Sequence, residues 1–216
     1  MELLQELMQY VGTQWPRLLV LTGQHLKLAL LAVFYGVLAG VPLGYLITRY
    51  RRLAEPVLWV ANALQTVPAL ALIGFVMIFL GLTPATGITV LFLYTLMPII
   101  RSTYTAIINI DPALIESATG MGMTRWQILR IVQLPLALSV ALVGVRLAMV
   151  IAIGTASIMS LAGAGGLGSE IFAGIDRVQD KMILAGALPA ALLAILADLG
   201  MSALERRLTP RGLRQA

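Results

Sequence analysis

The sequence predicts an all-α, polytopic membrane protein with about five transmembrane helices. Three observations predict it. Hydrophobic residues make up 59% of the 216-residue chain and charged residues 12%, at a mean hydropathy of +0.92. A soluble fold of this size needs more polar surface than that. Apolar runs of the roughly 20 residues that cross a bilayer recur along the chain. Between them, arginines gather in alternate connections, as they do on the cytoplasmic side of a membrane.

Residues 1–25 read as an outer or interfacial segment. They are not a cleavable signal, because Glu2 and Glu6 stand where basic residues belong and no small-residue cleavage site follows. Leu4, Leu7, Met8, Val11 and Trp15 recur at spacings of three or four. That spacing predicts a helix lying on the membrane surface. A frayed tail is the plainer alternative.

Residues 26–204 read as the membrane domain. Spans are expected at 26–47, 57–80, 86–108, 136–161 and 182–204. Arg49, Arg51 and Arg52 fill the first connection. Arg125 and Arg130 fill the third, with Arg101 close before it. Arg206, Arg207, Arg211 and Arg214 lie in the tail, 205–216. An odd number of spans puts these regions on one side, the cytoplasm, with the N-terminus outside. The other side holds Arg17, Lys27, Arg177 and Lys181. The net charge of +5 therefore reads as orientation rather than nucleic acid binding. The absence of cysteine excludes disulfides and thiolate chemistry, and the single histidine excludes a His-rich metal cluster. No catalytic set of residues is visible, and no cofactor is called for.

Small residues mark helix contacts. Gly36, Gly40 and Gly44 form a ridge on the first span. Gly186, Ala190 and Ala194 form a stripe on the fifth, continuing to Asp198.

The cytoplasmic loop 109–135 carries the most information. Asp111 is a helix cap and Pro112 suits the first helical position. Gly120 and Gly122 end that helix. Thr124 caps a second, with Gln127 completing a capping box, and Pro135 closes the unit and starts the fourth span. Ala113, Leu114, Ile115 and Ala118 on the first helix, with Trp126, Ile128, Leu129 and Ile131 on the second, leave an apolar side that needs a partner.

Glu116, Ser117, Ala118 and Gly122, followed after nine residues by Val132, Leu134 and Pro135, resemble the E-A-A-x-x-x-G…I-x-L-P motif of ABC importer membrane subunits. Ser117 and Val132 depart mildly from it. The resemblance implies a MetI-like permease fold in a bacterial inner membrane. The loop would be the coupling helix that seats in a groove on separate ABC ATPase subunits. Glu116 would meet basic groups there, and Gly122 would allow the sharp turn. Consistent with a separate engine, the chain has no G-x-x-x-x-G-K-S/T phosphate loop. A second permease subunit, identical or similar, and an extracytoplasmic substrate-binding protein are implied partners. Further stretches, 65–72, 91–105, 111–118 and 162–168, resemble the branch that imports osmoprotectants such as glycine betaine, choline and carnitine.

Several polar residues fall inside the spans. Arg146 is expensive in a bilayer unless it meets water or a partner. It either pins helices through Asp198, about one helical turn away in depth, or serves the pathway. Asn62, Gln65 and Thr66 share one face next to Pro68, and line a cavity or hydrogen-bond between helices. Tyr94, Pro98 and Arg101 make a weaker case on the third span. Gly163, Gly165 and Gly168 match G-x-G-x-x-G, but no strand precedes them, so a gate or re-entrant turn is the better reading than a dinucleotide site. Thr155, Ser157 and Ser160 lead into that turn as outer-pathway candidates. His25 reads as incidental.

The expected function is a permease subunit that forms the pathway for a quaternary-amine osmoprotectant. The alternatives are import of another small solute such as an amino acid, an ion-coupled secondary transporter, or a non-transporting scaffold. Sparse intramembrane acids and the lack of an inverted repeat argue against the secondary transporter.

Overall fold

The computed structural model describes residues 2–208, and these are helical with no strand among them. The nine α-helices are α1 (Glu2–Arg49), α2 (Ala54–Thr66), α3 (Ala69–Leu80), α4 (Pro84–Ile108), α5 (Pro112–Gly120), α6 (Arg125–Gln127), α7 (Leu134–Ala156), α8 (Gly168–Asp176) and α9 (Asp180–Leu208). The all-α expectation holds. Arg211 and Arg214 lie outside the described residues.

The third and fifth expected spans appear as α4 and α9 with small shifts at their ends. The others differ. No break separates residues 25 and 26: α1 runs through both as one helix of 48 residues. At 1.5 Å per residue it is about 72 Å long, more than twice the hydrocarbon thickness. The surface-lying helix expected before the first span is therefore continuous with that span.

The second span is broken. α2 and α3 meet at 100° across Val67 and Pro68. Val67 is extended (φ −64°, ψ 129°), the conformation that a following proline imposes. Pro68 also has no N–H to continue the ladder. The Tyr94 hydroxyl donates to the Val67 carbonyl, which the bend leaves outside either helix.

The fourth span ends earlier and begins differently than expected. α7 stops at Ala156, and a 3-10 turn, Ile158–Ala162, follows. At its start, α6 passes without a break through a π-helical stretch, Ile128–Gln133, into α7. Pro135 thus lies within a continuous helix rather than after a finished one. It offers no N–H to Ile131, and the wider π winding just before it is the local adjustment.

The glycine ridge on α1 packs on α4. A Cβ at Gly40 would lie 2.8 Å from Ile99 Cγ2, and one at Gly44 would lie 2.9 Å from the Ile100 carbonyl. Gly186 on α9 meets Leu167 and Ile171 in the same way. One core joins Leu28, Leu72, Val76, Leu91, Tyr94 and Met159. A second joins Ala29, Val33, Met149 and Ile153, with Leu193 and Ala194 against it.

Candidate coupling and pathway site

The turn between α5 and α6 is built from local bonds. Ala113 N donates to Asp111 Oδ1 at 2.9 Å, which caps α5 as the sequence predicts. At the other end, Met123 N donates to the Ala118 carbonyl at 3.1 Å and Gly122 N to that of Thr119 at 2.9 Å. This pair of bonds is a Schellman closure, and it requires the left-handed φ of +80° that Gly122 adopts. A Cβ at Gly122 would meet nothing within 4 Å. Backbone conformation, rather than lack of space, selects glycine. Thr124 and Gln127 form the expected capping box.

Of the motif residues, Ala118 is buried, Pro135 is half-buried, and Glu116, Ser117, Gly122 and Leu134 are exposed. Large apolar side chains stand beside them in the open: Leu114, Met121, Trp126 and Ile131. Met121 was not singled out from the sequence, because it falls in the turn between the helices and belongs to neither periodic face.

A cavity of about 1320 Å³ opens between α4 and α7 and reaches the first residues of the loop 109–135. Its polar lining includes Gln65, Arg101, Ser102, Ser139 and Glu205, and its far end reaches Asn109 and Asp111. Of the expected pathway residues it contains Gln65, Pro98 and Arg101, with Gln65 Nε2 3.4 Å from the Tyr94 carbonyl. Asn62 and Thr66 are exposed on α2, and Pro68 and Tyr94 form the bend. Ser102 and Ser139 carried no sequence signal, since single serines in apolar helices are common.

Arg146 forms an ion pair. Its Nε donates to Asp198 Oδ1 at 2.5 Å and its Nη2 to Oδ2 at 2.6 Å. The contact with Asp198 that the sequence offered is present. Glu205 Oε2 stands 3.9 Å from Nη1.

The glycine turn is docked on α1. Gly163, Gly165 and Gly166 all have φ between +75° and +82°. Gly166 N donates to Gln24 Oε1 at 3.1 Å, and a Cβ at Gly168 would collide with Ser157. Thr155 and Ser157 are half-buried behind it. His25, expected to be incidental, is fully buried, with Nε2 2.9 Å from the Ile153 carbonyl. Its partner lies 128 residues away, so nothing local reveals the contact.

An exposed apolar turn thus runs directly into a helix that lines the cavity. The chain belongs to the family of binding-protein-dependent transport system inner membrane components, whose model matches residues 36–210. It is a multi-pass inner membrane permease component. It is 48% identical over 211 residues to the glycine betaine/carnitine/choline transport system permease protein OpuCD of Bacillus subtilis (strain 168), covering 97% of this chain and 92% of that one. It is 45% identical to the osmoprotectant import permease protein OsmW of Salmonella typhimurium, covering 90% and 93%. Among solved structures, the inward-facing MetNI methionine ABC transporter matches with a TM-score of 0.77 at 23% identity, over 89% of this chain and 96% of that one. At that identity the likeness shows the fold.

Proposed function

We propose that this chain forms half of the translocation pathway for a quaternary-amine osmoprotectant and is driven by a separate ATPase. One observation supports this above others. Arg125–Ala156 is a continuous helix with the docking turn at one end and the cavity wall along its length. Movement of an ATPase seated on Met121, Trp126 and Glu116 reaches Ser139, Val143 and Leu147 through that helix. The ATPase's nucleotide cycle would then bias a two-state membrane part, as alternating access requires. The substrate class rests on the names of the relatives. ATP hydrolysis lies in the partner, the N-terminus faces outward, and a binding protein delivers substrate to a pair of permeases.

The test is reconstitution in liposomes with the ATPase and binding protein. ATP-dependent uptake of labelled glycine betaine, carnitine or choline is the expected result. Uptake confined to amino acids would replace the substrate class, and uptake driven by an ion gradient without ATP would overturn the reading.

A further inference from the structure

A groove between α1 and α4 serves neither the coupling turn nor the cavity. It has a volume of about 560 Å³. Tyr35, Leu38 and Ala39 line it from α1, and Ala85, Ile88 and Phe92 from α4. Thr89 and Tyr35 supply its hydroxyls, and the rest of the lining is apolar. The small side chains of Ala39 and Ala85 leave space between the larger ones. Tyr35 and Leu38 are exposed, so the groove opens to the outside of the bundle. Phe34 meets the Tyr35 ring edge to face at 5.7 Å and stiffens that rim.

The packing of the two helices fixes the groove's depth. Gly36, Gly40 and Gly44 face Thr95, Ile99 and Thr103 in turn. α1 and α4 therefore run parallel and in step, which brings Ala85 level with Leu26 and Lys27. Lys27 is exposed and stands at the expected start of the first span. Leu38 follows it by about three turns on the same face of α1. From Lys27 to Ala39 the helix rises about 18 Å. Half the hydrocarbon core of a bilayer is about 15 Å. The groove thus runs from one membrane surface to near the midplane, the reach of one acyl chain in one leaflet.

We propose that this groove holds one acyl chain of a phospholipid whose phosphate meets the Lys27 ammonium. Apolar walls suit the chain, and the lysine supplies the charge that a phosphate needs. Under the orientation proposed above, the lipid belongs to the outer leaflet. The groove lies along the α1–α4 contact made by the glycine ridge, so a bound chain would extend that packing sideways.

Photocrosslinking of the full-length chain in nanodiscs tests it. The probe is phosphatidylglycerol carrying a diazirine partway along one acyl chain, present at low mole fraction. Adducts should concentrate on the peptides that hold residues 35–39 and 85–92. Ala85→Phe, at an exposed position, should fill the groove and lower that labelling while the melting temperature holds. Lys27→Gln should lower it about five-fold, the weight of one lysine beside an anionic headgroup. Labelling by a diacylglycerol with the same chains should not respond to Lys27→Gln. Adducts spread evenly over exposed apolar faces, such as that of Phe75 and Phe79 on α3, would mean bulk lipid contact and overturn the site. Groove peptides left unlabelled would mean that another protein surface covers them, which also overturns it. Equal phosphatidylglycerol labelling of the parent and Lys27→Gln would refute the phosphate contact and the proposal with it.

Discussion

Arg146 and Asp198 clasp each other through two parallel bonds and so tie α7, a wall of the cavity, to α9. The planar fork of arginine matches a carboxylate in this side-on geometry. Their side chains retain 34% and 37% of their exposure, so the clasp lies at an edge of the subunit rather than deep within it.

Arg146→Met should therefore leave Asp198 without its main partner and lower the melting temperature of the purified protein. The double variant Arg146→Met, Asp198→Leu should melt higher than Arg146→Met alone, because removing both partners avoids a stranded charge. A thermal cycle over the four proteins measures this. Strictly additive losses would mean that the two residues do not support each other.

Gly122→Leu should enter the membrane normally but dock poorly. The side chain has room, so the cost comes from a left-handed backbone, about 1–2 kcal/mol. That penalty falls on the turn that presents Met121 and Trp126. Co-purification of the ATPase and uptake should both fall, with Gly122→Asn the milder change. Full transport by a well-expressed Gly122→Leu protein would contradict the role given to the turn.

Gly44→Val should loosen the bundle. Its Cβ would face the Ile100 carbonyl at 2.9 Å, and backbone yields less readily than a side chain tip. Overpacking of this kind costs about 1–3 kcal/mol. Gly12→Ala is the control, with open space around its Cβ and a small gain in helix propensity. Equal melting temperatures for the two variants would remove the ridge from the account of packing.

The orientation is checked by cysteine labelling, since no native thiol interferes. An impermeant maleimide applied to intact cells should modify Asp176→Cys and leave Arg51→Cys and Arg211→Cys untouched. Labelling of Arg51→Cys from outside would invert the topology.

Much of this was legible locally. Hydrophobic length marked α4 and α9, and Asp111, Thr124 and Gln127 announced their caps through bonds to residues two or three positions away. The Arg146–Asp198 pair was legible because few intramembrane charges compete as partners. Pro68 was read as freeing a carbonyl within an unbroken span, whereas the helix bends there by 100° and the Tyr94 hydroxyl, 27 residues away, meets the bend. The contacts of Gln24 with the glycine turn and of His25 with Ile153 of α7 span 142 and 128 residues, beyond any periodicity. Apolar length set the start of the first span at residue 26, whereas the helix needs only a continuous backbone ladder and runs through it. The cavity is lined by residues of α2, α4, α5, α7 and α9 together, a convergence that side-chain spacing does not encode.

The π winding at Ile128–Gln133 stores slack in an otherwise taut helix. A shift of one residue between π and α registers turns a helix by about 100° and moves it about 1.5 Å along its axis. The stretch stands between Trp126 and the cavity wall, so under the proposed coupling it would work like a short screw thread. A push on Trp126 can then arrive at Ser139 partly as twist, and a twist reorients the polar lining without requiring α7 to slide bodily past α4.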